Sequence, residues 1–218
     1  MAVIAKSMAD LPRFGIILMV GAWLMFSWVD TGAKWLAVAG LPAFQLAFMR
    51  YAGHFVISIG VIAKDGLKVD RFQTVHLWQV ISRALLLVSA TLSNFYALQF
   101  LPLTVVSAIM FSSPVVVCFL SVSVLREQVQ PWRWGVIILG FIGVLIVVRP
   151  FGTAFHPAML MIIYNAIALA LYSIMTRRLS GIVAVETMQF YMGLVGTFLL
   201  LPFAIWTWTQ PESVWGML

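Results

Sequence analysis

The sequence predicts an all-α, polytopic transmembrane helix bundle of about seven spans, and three observations carry that prediction. The first is composition: of 218 residues, 63% are apolar and only 9% charged, with a mean hydropathy of +1.05. Soluble domains carry about 25% charged residues, so a water-soluble fold would leave this chain without enough polar surface to cover itself. The second is a series of apolar runs approaching the roughly 20 residues that a membrane-crossing helix needs. The third is the placement of the basic residues, which matters more than their net charge of +6.

The runs cover approximately residues 14 to 36, 42 to 63, 77 to 98, 102 to 125, 132 to 149, 156 to 176 and 185 to 207. The connections AGLP (39 to 42) and QFLP (99 to 102) leave room for little more than a turn, and each ends in a proline suited to the start of the next helix. Consecutive spans are therefore antiparallel. With the N-terminus cytoplasmic, the inner side receives Lys6, Arg13, Lys64, Lys68, Arg71, Arg83, Arg126, Arg133, Arg177 and Arg178, the outer loops receive Arg149, and Lys34 and Arg50 lie within spans. This imbalance puts the N-terminus inside and the C-terminus of the chain outside. Net positive charge is thus explained by topology, and no nucleic-acid partner is called for.

In the first span, Trp23, Ser27, Asp30 and Lys34 follow spacings of 4, 3 and 4 and share one helix face. A charge facing lipid at mid-depth costs about 2.5 to 3.5 kcal/mol, so this face is expected to look into the bundle or an aqueous cavity. Two readings stand for Asp30: an i, i+4 ion pair with Lys34, or a contact on a solute path. Lys34 lies close enough to the outer boundary to snorkel. In the second span, Arg50 reaches a depth comparable with Asp30, as its bridging partner or as a contact for an anionic solute group. His54, one turn deeper on the same face, is a packed histidine or a proton relay.

Arg83 in the third span is expected to anchor the inner interface, and Asn94 to line the path or bond between helices. Ser107, Ser112 and Ser113 with Pro114 are expected to serve close packing in the fourth span, with a gating kink as the second reading. Gly135, Gly140 and Gly143 in the fifth read as a packing groove. The sixth span brings Tyr164, Asn165 and Tyr172, with Asn165 facing a cavity or packing. Trp206, Trp208 and Trp215 read as an outer aromatic belt. Cys118 is the single cysteine and is assigned to packing.

A shift of 144 positions brings the first span onto the sixth and the second onto the seventh, pairing Ala22 with Ala166, Trp28 with Tyr172, Lys34 with Arg178 and Gln45 with Gln189. Five spans separate the copies, and an odd number reverses each helix, as in inverted-repeat transporters.

The elements AFMRY (47 to 51), ALQFLPLTVVSAIMFSSPVVV (97 to 117), LREQVQPWRWGVIILGFIGVLIVVRP (125 to 150) and IALALYSIMTRRL (167 to 179) resemble the EamA-type drug/metabolite transporter superfamily. In the third element, Glu127 and the three glycines are the most specific features. The resemblance implies ten spans in two inverted five-span repeats with both termini cytoplasmic. On that pattern, residues 1-13 are a cytoplasmic segment, 14-150 the first five-helix repeat, and 151-218 the first two helices of a second repeat, roughly three spans short.

It also implies a secondary transporter in a cell inner (plasma) membrane, moving small organic metabolites by alternating access, with export as the default direction. Amino acids or related carboxylate-bearing solutes fit the basic groups of the outer half; S-adenosylmethionine uptake and multidrug efflux stay open. The rival reading is a non-transporting subunit or scaffold completed by a partner chain. Expected partners are the bilayer, a small solute and either a second copy or a completing chain. The sequence holds no HExxH, no Gly-x-Ser-x-Gly elbow, no Cys/His cluster and no phosphate loop with its lysine. Neither enzymatic chemistry nor a cofactor is therefore expected. The candidate substrate-binding residues are Trp23, Ser27, Asp30, Lys34, Arg50, His54, Asn94, Asn165 and Tyr172.

Overall fold

The computed structural model describes residues 2–64, 74–125, 130–148 and 156–210. Among them there are eight α-helices and no strands: α1 (Ala2–Val38), α2 (Ala43–Lys64), α3 (Leu77–Phe100), α4 (Leu103–Met110), α5 (Ser113–Leu125), α6 (Pro131–Val148), α7 (Ala158–Leu179) and α8 (Val185–Trp206). Six stretches are long and apolar enough to cross a bilayer, one of them continuous through α4 and α5, and α6 adds a shorter apolar stretch, Trp134–Gly143. The expected polytopic bundle is what forms. The first helix starts well before the predicted span, at Ala2. Lys68, Arg71, Arg126, Glu127, Arg149 and Trp215 lie outside the described residues.

The turn between α1 and α2 shows how the sequence ends a helix in lipid, where every backbone polar group needs an internal partner. Leu41 N–H donates to the Leu36 carbonyl and Gly40 N–H to the Ala37 carbonyl, the paired bonds of a Schellman ending. That geometry needs a left-handed residue, and Gly40 supplies it at φ 90°. Proline sits just ahead of, or at, the start of α2, α4, α6 and α7, where its missing N–H is harmless.

The fourth span is interrupted. Pro114 has no N–H for the Met110 carbonyl and its ring opposes a continuing helix, so α4 ends at Met110 and α5 begins at Ser113. The serines around it were expected to serve close packing, with a kink as the second reading; the break is what occurs there.

α2 packs most extensively on α8, and α3 on α7. Along the α2–α8 contact, Phe44 stacks on Phe203, Tyr51 meets Gly196 and Phe55 meets Gly193, so the helices run antiparallel. A Cβ at Gly193 would lie 2.8 Å from the Phe55 Cα, and one at Gly196 would overlap the Tyr51 ring. These two glycines let the backbones approach closely, in the manner of small-residue contacts in membranes. Gly135, Gly140 and Gly143 do not: an added Cβ at each meets nothing within 4 Å. The packing groove expected of α6 is therefore absent among the described residues, and the close approach lies in α8.

The core combines alanines at 33, 37, 43, 47, 84, 97 and 158 with Leu46, Tyr51, Phe95, Leu98 and Ile162. Large apolar side chains such as Trp28, Val56, Ile57, Ile146 and Phe198 point outward, which suits a surface bathed in acyl chains. Trp206, the last residue of α8, and Trp208 just beyond it are both exposed.

Candidate functional site

α3 is the polar spine of the bundle, and most of the candidate residues meet on it. Asn94 is buried and its Nδ2 donates to Asp30 Oδ1 at 3.2 Å. One turn away, the Thr91 and Tyr51 hydroxyls hydrogen-bond at 2.9 Å and tie α3 to α2. Beside Tyr51, the half-buried Arg50 holds its guanidinium over two aromatic rings, 5.5 Å from the centroid of Phe26 and 5.8 Å from that of Phe95. Such contacts are worth about 0.5 to 2 kcal/mol and leave the N–H donors in the ring-parallel plane free. Arg50 is within electrostatic reach of Asp30, yet no ion pair or hydrogen bond joins them, and Arg50 makes no hydrogen bond among the described residues. The expected direct bridge is replaced by an electrostatic interaction without contact between the two side chains. Two spans, α1 and α2, supply the charges, and α3 supplies Asn94.

Lys34 is not part of this cluster. Its Nζ donates to the carbonyls of Leu98 at 2.6 Å and Leu101 at 2.9 Å. Those carbonyls lie at the C-terminal end of α3, where the helix leaves its acceptors unpaired and its dipole favours a cation. The i, i+4 pair with Asp30 expected from spacing is thus not formed. Trp23 and Ser27 stay exposed: Trp23 touches Phe26 on its own helix, and Ser27 donates to the Trp23 carbonyl. Their shared face with Asp30 is real, but only its Asp30 end reaches another helix.

His54 sits at the α2–α8 contact. Its Nε2 lies 3.2 Å from the Gln189 carbonyl and 3.5 Å from Ser58 Oγ. Asn165 is buried and donates to Met110 Sδ at 3.1 Å, which places it against the break between α4 and α5. Tyr172 belongs to a separate constellation built around Arg83. That arginine is 2% exposed; it donates to Thr176 Oγ1 at 2.7 Å, the Tyr172 hydroxyl at 2.6 Å and the Met188 carbonyl at 3.5 Å, with the Tyr172 ring 4.4 Å away. Arg83 is buried and joins α3 to α7 and α8 from inside.

Two hollows lie elsewhere. A groove of about 530 Å³ runs between Ser82, Leu85, Ser89 and Leu92 of α3 and Tyr164 and Leu199; a smaller one, about 260 Å³, lies among Tyr96, Phe100, His156 and Met161. Their apolar, outward-facing linings suit acyl chains, and neither contains Asp30, Arg50 or His54, so the polar cluster is the better candidate. No group of three His, Cys, Asp or Glu side chains converges among the described residues. Sequence reasoning missed Phe26, Phe95, Tyr51 and Thr91. With 16 phenylalanines in the chain, nothing marks two of them as a guanidinium clamp, although Tyr51 adjoins Arg50 within AFMRY.

Residues 13–149 match the EamA-like transporter family. The chain belongs to that family. This EamA-like chain is 29% identical over 199 residues to the S-adenosylmethionine uptake transporter of Rickettsia prowazekii (strain Madrid E), covering 88% of the chain and 66% of that protein. It is 29% identical to a riboflavin transporter of Vibrio cholerae, over 95% of the chain and 70% of the relative. It is 27% identical to the pseudopaline exporter CntI of Pseudomonas aeruginosa, over 96% and 73%. The chain thus spans about two thirds of the length of the S-adenosylmethionine transporter it matches. A protein of known crystal structure shares the fold, with a TM-score of 0.67 at 18% identity, covering 89% of this chain and 67% of that one. Asp30, Lys34, Arg50, His54 and Asn94 fall within the family match; Asn165 and Tyr172 follow it.

Proposed function

We propose that the chain acts in secondary transport, carrying a small organic metabolite across a cell inner membrane by alternating access, with Asp30 and Arg50 as its solute contacts. The observation that carries this reading is the state of Arg50. A guanidinium inside a membrane helix is expensive to keep, and here it is held by ring faces with its hydrogen-bond donors unused and a carboxylate nearby. A solute carboxylate fits the guanidinium in the bidentate geometry that arginine favours, and a solute amine fits Asp30. Amino acids and their derivatives have both groups; S-adenosylmethionine, named for the Rickettsia relative, carries them too. Its relatives' names include both uptake and export, so the direction is taken to follow the driving gradient. The basic residues support an inside N-terminus. The five helices up to α6 that match the family, counting α4 and α5 as one span, act as the first repeat, with α7 and α8 opening a second.

The test is movement of radiolabelled S-adenosylmethionine and amino acids into proteoliposomes. Arg50→Ala is expected to lower initial rates at least about 100-fold, as loss of a charged hydrogen-bonding anchor does, while the folded yield in detergent stays near that of the unaltered chain. Unchanged rates in Arg50→Ala would remove the site.

A further inference from the structure

Resting on the transport reading, we infer that Gln45 and Gln189 are the two latches of a gate formed by α2 and α8, one toward each end of the pair, with the Gln45 latch closed in this structure.

The crossing of the two helices sets the geometry. α2 and α8 come close where Tyr51 meets Gly196 and Phe55 meets Gly193. Gln45 lies six residues before Tyr51 on α2, and Gln189 seven before Gly196 on α8. At 1.5 Å per residue they stand about 9 and 10.5 Å from that approach. Because the helices are antiparallel, the two glutamines lie on opposite sides of it. They are also the residues paired by the 144-position shift that brings the first two spans onto the sixth and seventh, as counterparts in an inverted repeat are.

The two ends are held unequally. Gln45 is 2% exposed, and its whole amide is engaged: Nε2 donates to the Thr209 carbonyl at 3.1 Å, while Oε1 accepts from the Thr209 N–H at 3.1 Å and from Thr209 Oγ1 at 3.3 Å. An amide that meets both polar groups of one backbone residue ties the chain beyond α8 to the start of α2, where Phe44 stacks on Phe203. Gln189 has the same amide and no such partner. Its side chain faces the His54 ring, but its Oε1 is buried without a hydrogen-bond donor. A buried acceptor left unpaired is unfavourable. A second position of the pair, in which Gln189 is bonded and Gln45 released, relieves that group, and exchange between two such positions is what alternating access requires.

A hinge lies between the crossing and the closed latch. Pro202 sits inside α8; it has no N–H for the Phe198 carbonyl, and proline at such a point bends a helix. The stretch from Pro202 to Thr209 can therefore swing while Gly193 and Gly196 stay against α2. Arg50 adjoins Tyr51 at the crossing, so release of Gln45 opens the pair to one side of the proposed solute contacts.

Thiol labelling tests this without any solute. In a Cys118→Ala background, Ala204→Cys places a thiol at a position 0% exposed, next to Phe203 at the Gln45 end. Its rate of reaction with a water-soluble maleimide, measured in lipid nanodiscs, reads how often that end opens. Gln45→Leu should speed labelling about tenfold as the clasp is lost, and Thr209→Pro, which removes the N–H from an exposed residue, should speed it too. Gln189→Leu should slow labelling about tenfold from the other end of the pair, because it removes the unpaired acceptor from this position and the latch from the second. The double change Gln45→Leu with Gln189→Leu should return the rate to near that of the unaltered chain. Labelling unchanged in both Gln45→Leu and Thr209→Pro overturns the inference, as does labelling that stays the same or rises in Gln189→Leu. An Arg50→Ala chain that moves solute normally removes the solute site and leaves this labelling pattern untouched.

Discussion

Arg50 and Arg83 are both guanidinium groups inside the bundle, and they are held in opposite ways. Arg83 is almost fully buried, with three hydrogen bonds and a tyrosine ring; Arg50 is half-buried, touches ring faces and makes no hydrogen bond among the described residues. Neither forms an ion pair among the described residues. The lesson is that burial alone does not mark a binding group in a membrane. What marks it is hydrogen-bonding capacity left over after the fold has been satisfied. Arg83 joins α3 to α7 and α8 and is a positioning element; Arg50 has donors to offer.

The largest effect should therefore fall on the fold, from Arg83→Ala. Truncation leaves a cavity and strips donors from Met188 and Tyr172, a loss of the order of 3 kcal/mol or more, seen as collapse of the folded yield and a lowered Tm in detergent. Arg83→Met fills most of the volume but removes the same donors, so it restores only the packing part of the loss and should recover part of the yield. If Arg83→Met folds normally yet moves no solute, Arg83 is a functional group and the contrast with Arg50 fails.

A smaller effect sharpens the other side of the comparison. Asn94→Leu removes the N–H that Asp30 accepts. Hydrogen bonds to charged groups are worth about 1.5 to 3 kcal/mol, so the apparent KM for an amine-bearing solute should rise by roughly 10- to 100-fold as Asp30 loses its orientation. A rise in KM without change in Tm fits the role given to Asn94. A fall in Tm alone would make it a helix-packing residue and leave Asp30 without a fixed position.

How far the sequence could be read follows the same division between the backbone's needs and the side chains' partners. Spans were legible because a bilayer imposes one length and one hydropathy on any helix that crosses it, and the break after Met110 was foreshadowed by Pro114 because a missing N–H acts locally. Asp30, Arg50 and Asn94 could be named because charge and amide groups in hydrocarbon are conspicuous. Their partners were not legible. Nothing in the spacing shows that Phe26 and Phe95 flank Arg50, or that Gly193 and Gly196, not the glycines of α6, admit a neighbouring backbone. Those facts depend on which helices pack together, and α2 meets α8 across more than a hundred residues of chain. The first span's stripe misled for a related reason: helical periodicity gives a shared face but not how much of that face another helix covers, so Trp23 and Ser27 remain on the exposed part.

Lys34 provides the finest test. Spacing alone pairs it with Asp30; the structure pairs it with the Leu98 and Leu101 carbonyls. The two arrangements differ in what Lys34→Met removes. A cation at a helix C-terminus contributes about 0.3 to 1 kcal/mol, so as a cap its loss lowers Tm slightly and leaves the apparent KM for the solute unchanged, because Asp30 keeps both Asn94 and the field of Arg50. As an ion-pair partner its loss would free Asp30 from a competing cation and tighten binding of any amine. A small stability change at constant KM keeps Lys34 out of the site. A KM that falls with Lys34→Met and does not fall in Lys34→Arg, which retains the charge, would return Lys34 to it.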